Sequence, residues 1–184
     1  MLMTRKLSNS ELNRLSSEEF KNAFKNPLVL VLDNVRSLHN VGSVFRTADA
    51  FLIEELVLCG VTGTPPNKEI EKTALGATQT VIWKHKASTL DAVNELKKNS
   101  YKVYAVEQTE GSTMLNEFKY SNQKLALVFG NEVYGVEQEV VDACDGVIEI
   151  PQSGTKHSLN IAVSAGIVLW EILRAKVGRL SDPK

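Results

Sequence analysis

Apolar and polar positions alternate along the chain in blocks, and each block predicts an element. Leu28 to Leu32 is a solid apolar run of strand length. It ends at Asp33-Asn34, leads into helical spacing from about Val41 to Phe51, and is followed by a second strand, Leu56 to Cys59. A Gly/Thr/Pro loop over 60–67 precedes a short helix near Lys68 to Leu75 and a strand near Thr80 to Lys84. Next come a helix over Thr89 to Lys98, a strand Lys102 to Val106, a loop with a short helical segment, and a strand Leu125 to Phe129. The last units are a helix near Glu137 to Ala143, a strand Val147 to Ile150, and a closing helix whose first residues are Ser158, Leu159 and Asn160. Strands that are apolar at every position have both faces covered. The pattern therefore predicts an α/β fold with a mostly parallel sheet and helices on both faces.

The two ends of the chain read differently. From Leu159 to Trp170 the closing helix is apolar or small on nearly every side, which predicts burial all round and a rigid first turn. Ser158 is a good N-cap type, and the free N–H groups behind a cap suit a polar ligand. Residues 1–26 are polar and helix-prone, with Ser16 and Glu19 at capping-box spacing ahead of Phe20 and Phe24. They read as an N-terminal helical extension packed over the sheet edge, leaving 27–184 as the main domain.

Composition narrows the class. A chain of 184 residues, 43% hydrophobic and 23% charged, fits one globular domain with a sizeable core. The formal net charge of -1 argues against coating nucleic acid by bulk electrostatics and leaves a local basic patch open. Cys59 and Cys144 stand far apart with no CxxC spacing, and His39, His85 and His157 are scattered. Neither a disulfide framework nor a metal site is expected. The opening MLMTRKLSNSELNRL lacks the apolar run of a signal peptide, and no stretch is long and apolar enough to span a bilayer. No membrane partner is expected, and the location reads as cytoplasmic.

Candidate chemistry lies where open parallel sheets collect ligands, at the carboxyl ends of the strands. In LDNVRSLHNVGSVFRTADAF, residues 32–51, Asn34, Asn40 and Arg46 crowd a strand-to-helix turn and Gly42 permits close backbone approach. In LALVFGNEVYGV, residues 125–136, Gly130 and Gly135 bracket Asn131 and Glu132. The third such loop, IEIPQSGTKHSLN, opens the closing segment. Any one of them alone reads more readily as a tight turn than as a site; together they point to a site. The sequence has no GxGxxG after the first strand, no GxxxxGK[ST] and no GxSxG. Dinucleotide, triphosphate and serine-hydrolase readings thereby lose their main support.

Taken together, NVGSVFRTADAF, LVFGNEVYGV and IPQSGTKHSLNIAVSAGI resemble, in order, the motifs of the SpoU (TrmH-like) family of RNA ribose 2′-O-methyltransferases, within the SPOUT class. The resemblance covers roughly Leu28 to Lys176, and KTALGATQTVIW between the motifs is also similar. It implies S-adenosylmethionine as cofactor, RNA (tRNA or rRNA) as substrate, and a homodimer with sites near the subunit interface. It also implies a deep C-terminal trefoil knot, a feature that general topology rules disfavour. Asn40 and Arg46 match the catalytic asparagine and arginine of the first motif, Glu132 the acidic residue of the second, and Ser158 and Asn160 the polar pair of the third. Cofactor contacts are implied for Gly130, Ile150 and Leu159. A guanidinium titrates at about 12.5 to 13.8, so using one as a base at pH 7 costs roughly 7 to 9 kcal/mol. Arg46 is accordingly expected to clamp an RNA phosphate, with Asn40 orienting it and Glu132 holding Asn40, Arg46 or a partner loop. His157 is expected to be exposed and incidental, and Tyr134 and Trp83 to pack. The alternative, a non-catalytic RNA-binding dimer that retains the fold, predicts lost polar residues in the motifs, yet all of them are present.

Overall fold

In the computed structural model, which describes residues 4–177, the strand runs become β1 (Asn26–Asp33), β2 (Ile53–Cys59), β3 (Trp83–Lys86), β4 (Lys102–Val106), β5 (Thr113–Met114), β6 (Leu125–Phe129) and β7 (Gly146–Glu149). They form one seven-stranded sheet in the order β3-β2-β1-β6-β4-β7-β5, with every pairing parallel. Alternation within a strand sorts its side chains between two cores. Leu28, Leu30 and Leu32 of β1 join Leu125, Leu127 and Phe129 of β6 on one face. Val29, Val31, Ala126 and Val128 face the other side.

Helices cover both faces, as the apolar runs require. α2 (Leu38–Ala50), α3 (Lys68–Ala74) and α6 (Ile161–Val177) lie on the leucine side, with Val44, Phe45, Ile70, Ala165, Val168 and Leu169 in its core. α4 (Thr89–Lys98) and α5 (Gln138–Ala143) cover the valine side through Ala92, Val93, Leu96 and Val140. α1 (Ser17–Asn22) forms on the expected capping box, Ser16 N donating to Glu19 Oε2 and Glu19 N to Ser16 Oγ. It inserts Phe20 into the leucine-side core, while Phe24, beyond its end, is 92% exposed. Trp83 packs as expected, edge-on to Phe45. The crossovers after β1 and β6, which are neighbours, leave in opposite directions. That arrangement opens a crevice at their carboxyl ends. Among the described residues no helix is long and apolar enough to cross a membrane.

Four expectations change. The closing helix starts at Ile161, because the Asn160 side chain accepts from Ala162 N and its carbonyl from Ser164 N. Asn160 is therefore the cap, and Ser158 and Leu159 belong to the preceding loop. Nor is this helix buried all round: Val163 and Trp170 are 50% and 54% exposed, on the face opposite Ala165 and Leu169. The third strand is displaced to Trp83–Lys86 because a 3-10 turn over Ala77–Gln79 continues into Val81 N donating to Ala77 O. Between β4 and β6 the chain forms the edge strand β5 and a turn in place of a short helix, with Leu115 N donating to Glu149 O of β7.

Candidate active site

The loops leaving β6, β4 and β7 enclose a cavity of about 680 Å³. Its first wall is the loop 130–136. Asn131 and Gly135 exchange two backbone hydrogen bonds, 2.8 and 2.9 Å, and the Asn131 side-chain oxygen accepts from Val133 N and Tyr134 N. A Cβ on Gly130 would lie 2.0 Å from Gly135 C and 2.1 Å from Val136 N. Only glycine lets the loop close on itself there. Asn131 Nδ2 also donates to Asn34 O at 2.7 Å, tying the loop to the end of β1. Beneath that junction Asp33 is fully buried. Its carboxylate accepts from Thr89 Oγ1 at 2.6 Å, from Asn34 Nδ2 at 3.0 Å and from Glu137 N at 3.1 Å. These donors meet the requirement that a buried polar group be hydrogen-bonded.

Glu132 reaches out of this loop to the start of α2. One oxygen accepts from Ser37 N at 3.0 Å and Asn40 Nδ2 at 2.9 Å, the other from Arg36 N at 3.1 Å. The free N–H groups at a helix start favour such an anion. Partial burial opposes the Glu132 charge. The Asn40 amide and the backbone N–H groups of Glu132, Arg36 and Ser37 outweigh it and hold the carboxyl below the usual carboxylate range. At neutral pH Glu132 is therefore an acceptor only. Asn40 Oδ1 in turn accepts from Asn160 Nδ2 at 3.0 Å. A continuous chain of hydrogen bonds thus links the first turn of α6, through Asn160, Asn40 and Glu132, to the loop after β6.

The remaining expected residues divide. Gly130, Ile150, Ser158 and Leu159 line the cavity with Glu132 and Asn160. Ser158 is exposed and makes no hydrogen bond among the described residues, and Leu159 is 39% exposed. Arg46 lies outside the lining, exposed, six residues from Asn40 on α2, or about 9 Å along the axis at 1.5 Å per residue. Its guanidinium has no ion pair or hydrogen bond among the described residues. Asn40 is outside the lining too; its amide bonds to Glu132 and Asn160, and among the described residues no hydrogen bond joins it to the Arg46 guanidinium. Tyr134, expected to pack, is 78% exposed at the rim. Glu107 and Gln108, just past β4, also line the cavity and were not singled out by the motifs. The rule that found the other loops, polar residues at the end of a parallel strand, applies to them equally.

Comparison with known proteins agrees with this geometry. Residues 27–170 match the profile of the SpoU rRNA Methylase family. A protein of Borreliella burgdorferi named as an uncharacterized tRNA/rRNA methyltransferase is 31% identical over 175 residues, covering 92% of this chain and 76% of that one. A tRNA (guanosine(18)-2′-O)-methyltransferase of Thermus thermophilus is 30% identical over 168 residues, covering 91% and 85%. The AdoMet-bound rRNA methyltransferase of Sinorhizobium meliloti superposes with a TM-score of 0.77 at 28% identity, over 85% of this chain and 60% of that longer one. The cavity, its glycine-closed wall and the Asn160–Asn40–Glu132 linkage all fall within the matched segment, and the chain belongs to the SpoU rRNA Methylase family.

Proposed function

We propose that this protein is an RNA methyltransferase that uses S-adenosylmethionine to methylate a ribose 2′-hydroxyl of tRNA or rRNA. The observation that carries this reading is the hydrogen-bonded linkage of Asn160, Asn40 and Glu132, which joins the start of α2 to two loops that line the cleft. The named activity of the Thermus relative, and the donor bound in the Sinorhizobium enzyme, support the substrate class and the cofactor. The residues present fit that donor. About 680 Å³ is within the usual range for a small-molecule site. Ile150, Leu159 and Val136 offer apolar surface for the adenine, and Gly130 keeps side-chain atoms out of the wall where backbone groups would meet it.

Bound there, the donor supplies an electrophilic methyl group. The chain's own residues must place the hydroxyl in line with it and exclude competing geometries, which alone contributes roughly 7 to 11 kcal/mol to such a reaction. Ser158 and Asn160, which line the cleft, hold the ribose in this reading. Glu132, fixed as an acceptor, keeps Asn40 and the start of α2 in register with the cleft. Arg46 clamps a phosphate of the RNA, a charge-assisted contact for which its fork is suited.

Because Arg46 lies outside its own cavity, this reading includes a homodimer in which each subunit lends Arg46 to the cleft of the other. The exposed apolar stripe of α6, Val163, Ile167 and Trp170 at helical spacing, supports that pairing. The reading also includes a trefoil knot. Its support is the path of the chain: β7 lies near the β5 edge, yet Asn160 returns past the β4 and β6 loops to Asn40 on α2. A cytoplasmic location goes with the same substrates. Calorimetry with S-adenosylmethionine and with NAD tests the function: binding of the first alone is expected. Binding of NAD instead, or of neither, overturns the reading in favour of an oxidoreductase or a non-catalytic RNA-binding dimer.

A further inference from the structure

The loop 151–159 contributes His157, Ser158 and Leu159 to the cleft, yet very little holds it. Every residue from Pro151 to Leu159 is exposed. Among the described residues, the loop's single hydrogen bond to the rest of the molecule is from Gln108 Nε2 to His157 O, 2.6 Å. Next to it, Glu107 serves the opposite wall. One carboxylate oxygen accepts from Val136 N at 3.1 Å, and the other from Gln108 N at 2.9 Å. A Cβ on Gly135 would lie 2.2 Å from Glu107 Oε2, so the backbone of the 130–136 loop rests directly on this side chain. One dipeptide past β4 thus touches both walls, Glu107 the 130–136 loop and Gln108 the 151–159 loop.

We propose that Gln108 is a positioning residue: it holds the loop 151–159 at the width fixed by Glu107 on the other wall, and thereby sets the affinity for the methyl donor. This rests on the methyltransferase reading. The physical reason is entropic. A loop already tethered loses less conformational freedom when a ligand closes on it, whereas an untethered one must be ordered at the expense of binding. Gln108 contributes to donor affinity without touching the reacting atoms.

Gln108→Glu tests this in the full chain, since it keeps the shape and replaces the donor facing the His157 carbonyl with an oxygen. Gln108→Lys restores a donor. With Gln108→Glu, the Kd for S-adenosylmethionine should rise about tenfold, the effect of one lost hydrogen bond and two opposed oxygens. The KM for the donor should rise with it while kcat changes little, and amides of 152–159 should exchange faster in protein without the donor. Gln108→Lys should recover much of both effects. Unchanged Kd and unchanged exchange in Gln108→Glu overturn the proposal. So does a raised Kd with unchanged exchange, which would make Gln108 a direct contact. If the wild-type chain fails to bind the donor at all, the failure lies with the methyltransferase reading instead.

Discussion

Gly130→Ala abolishes binding of S-adenosylmethionine on this account, raising its Kd by about a hundredfold or more while the fold survives. The new methyl group would sit 2.0 Å from Gly135 C and 2.3 Å from Gly135 O. These are backbone atoms with no side-chain freedom to yield. Relief requires the loop to open, which severs the two hydrogen bonds between Asn131 and Gly135 and pulls Glu132 from the start of α2. Two backbone bonds at about 1 kcal/mol each and charged ones at about 1.5 to 3 make a loss of several kcal/mol at the site, hence the factor. The strand before it is unaffected, because Leu125 to Phe129 keep their partners in β1 and β4. Calorimetry beside a thermal melt checks both halves. Normal donor affinity in Gly130→Ala would show that this wall is not where the donor lies.

Arg46→Ala should do the reverse: leave donor binding unchanged, since Arg46 is not in the lining, and lower kcat by about a hundredfold, the scale on which misplacing a substrate costs rate. Arg46→Lys keeps the charge without the planar fork and should fall between. Full activity in either variant removes Arg46 from the mechanism. The two defects also test whether the clefts are shared. If Arg46 acts across a dimer, a chain with Arg46→Ala still offers an intact cleft, and a chain with Gly130→Ala still offers an intact arginine. Co-refolding the two inactive variants should then restore about a quarter of wild-type activity, half the dimers being mixed and each holding one complete site of two. An arginine that acts within its own chain gives no recovery.

Much of this was legible in the sequence because burial on both faces of a parallel strand leaves an unmistakable apolar run. Leu28 to Leu32 and Leu125 to Phe129 are such runs, and both are strands in the centre of the sheet. Gly130 stands out in the sequence as one of two glycines bracketing Asn131 and Glu132, whereas its role in closing that loop against backbone emerges only from the structure. The helix start was misread because Leu159 is as apolar as the helix that follows. The boundary is set instead by one side chain, that of Asn160, folding back on Ala162 N. Burial around α6 is overstated by the sequence for a different reason: Val163, Ile167 and Trp170 look like core, and apolarity alone does not distinguish a buried residue from an exposed one. Arg46 and Asn40 sit close in one motif, but six residues of helix separate them on the surface and turn them to different sides. Gln108 carries no motif at all. Its place is evident only once the strand ends are side by side.

The most direct test supplies the full chain with S-adenosylmethionine labelled in its methyl group and with tRNA and rRNA lacking 2′-O-methyl groups, then digests the RNA to nucleosides. The account predicts label on a ribose 2′-oxygen, lost in both Gly130→Ala and Arg46→Ala. Label on a base, or donor bound with no transfer to either RNA, would contradict it.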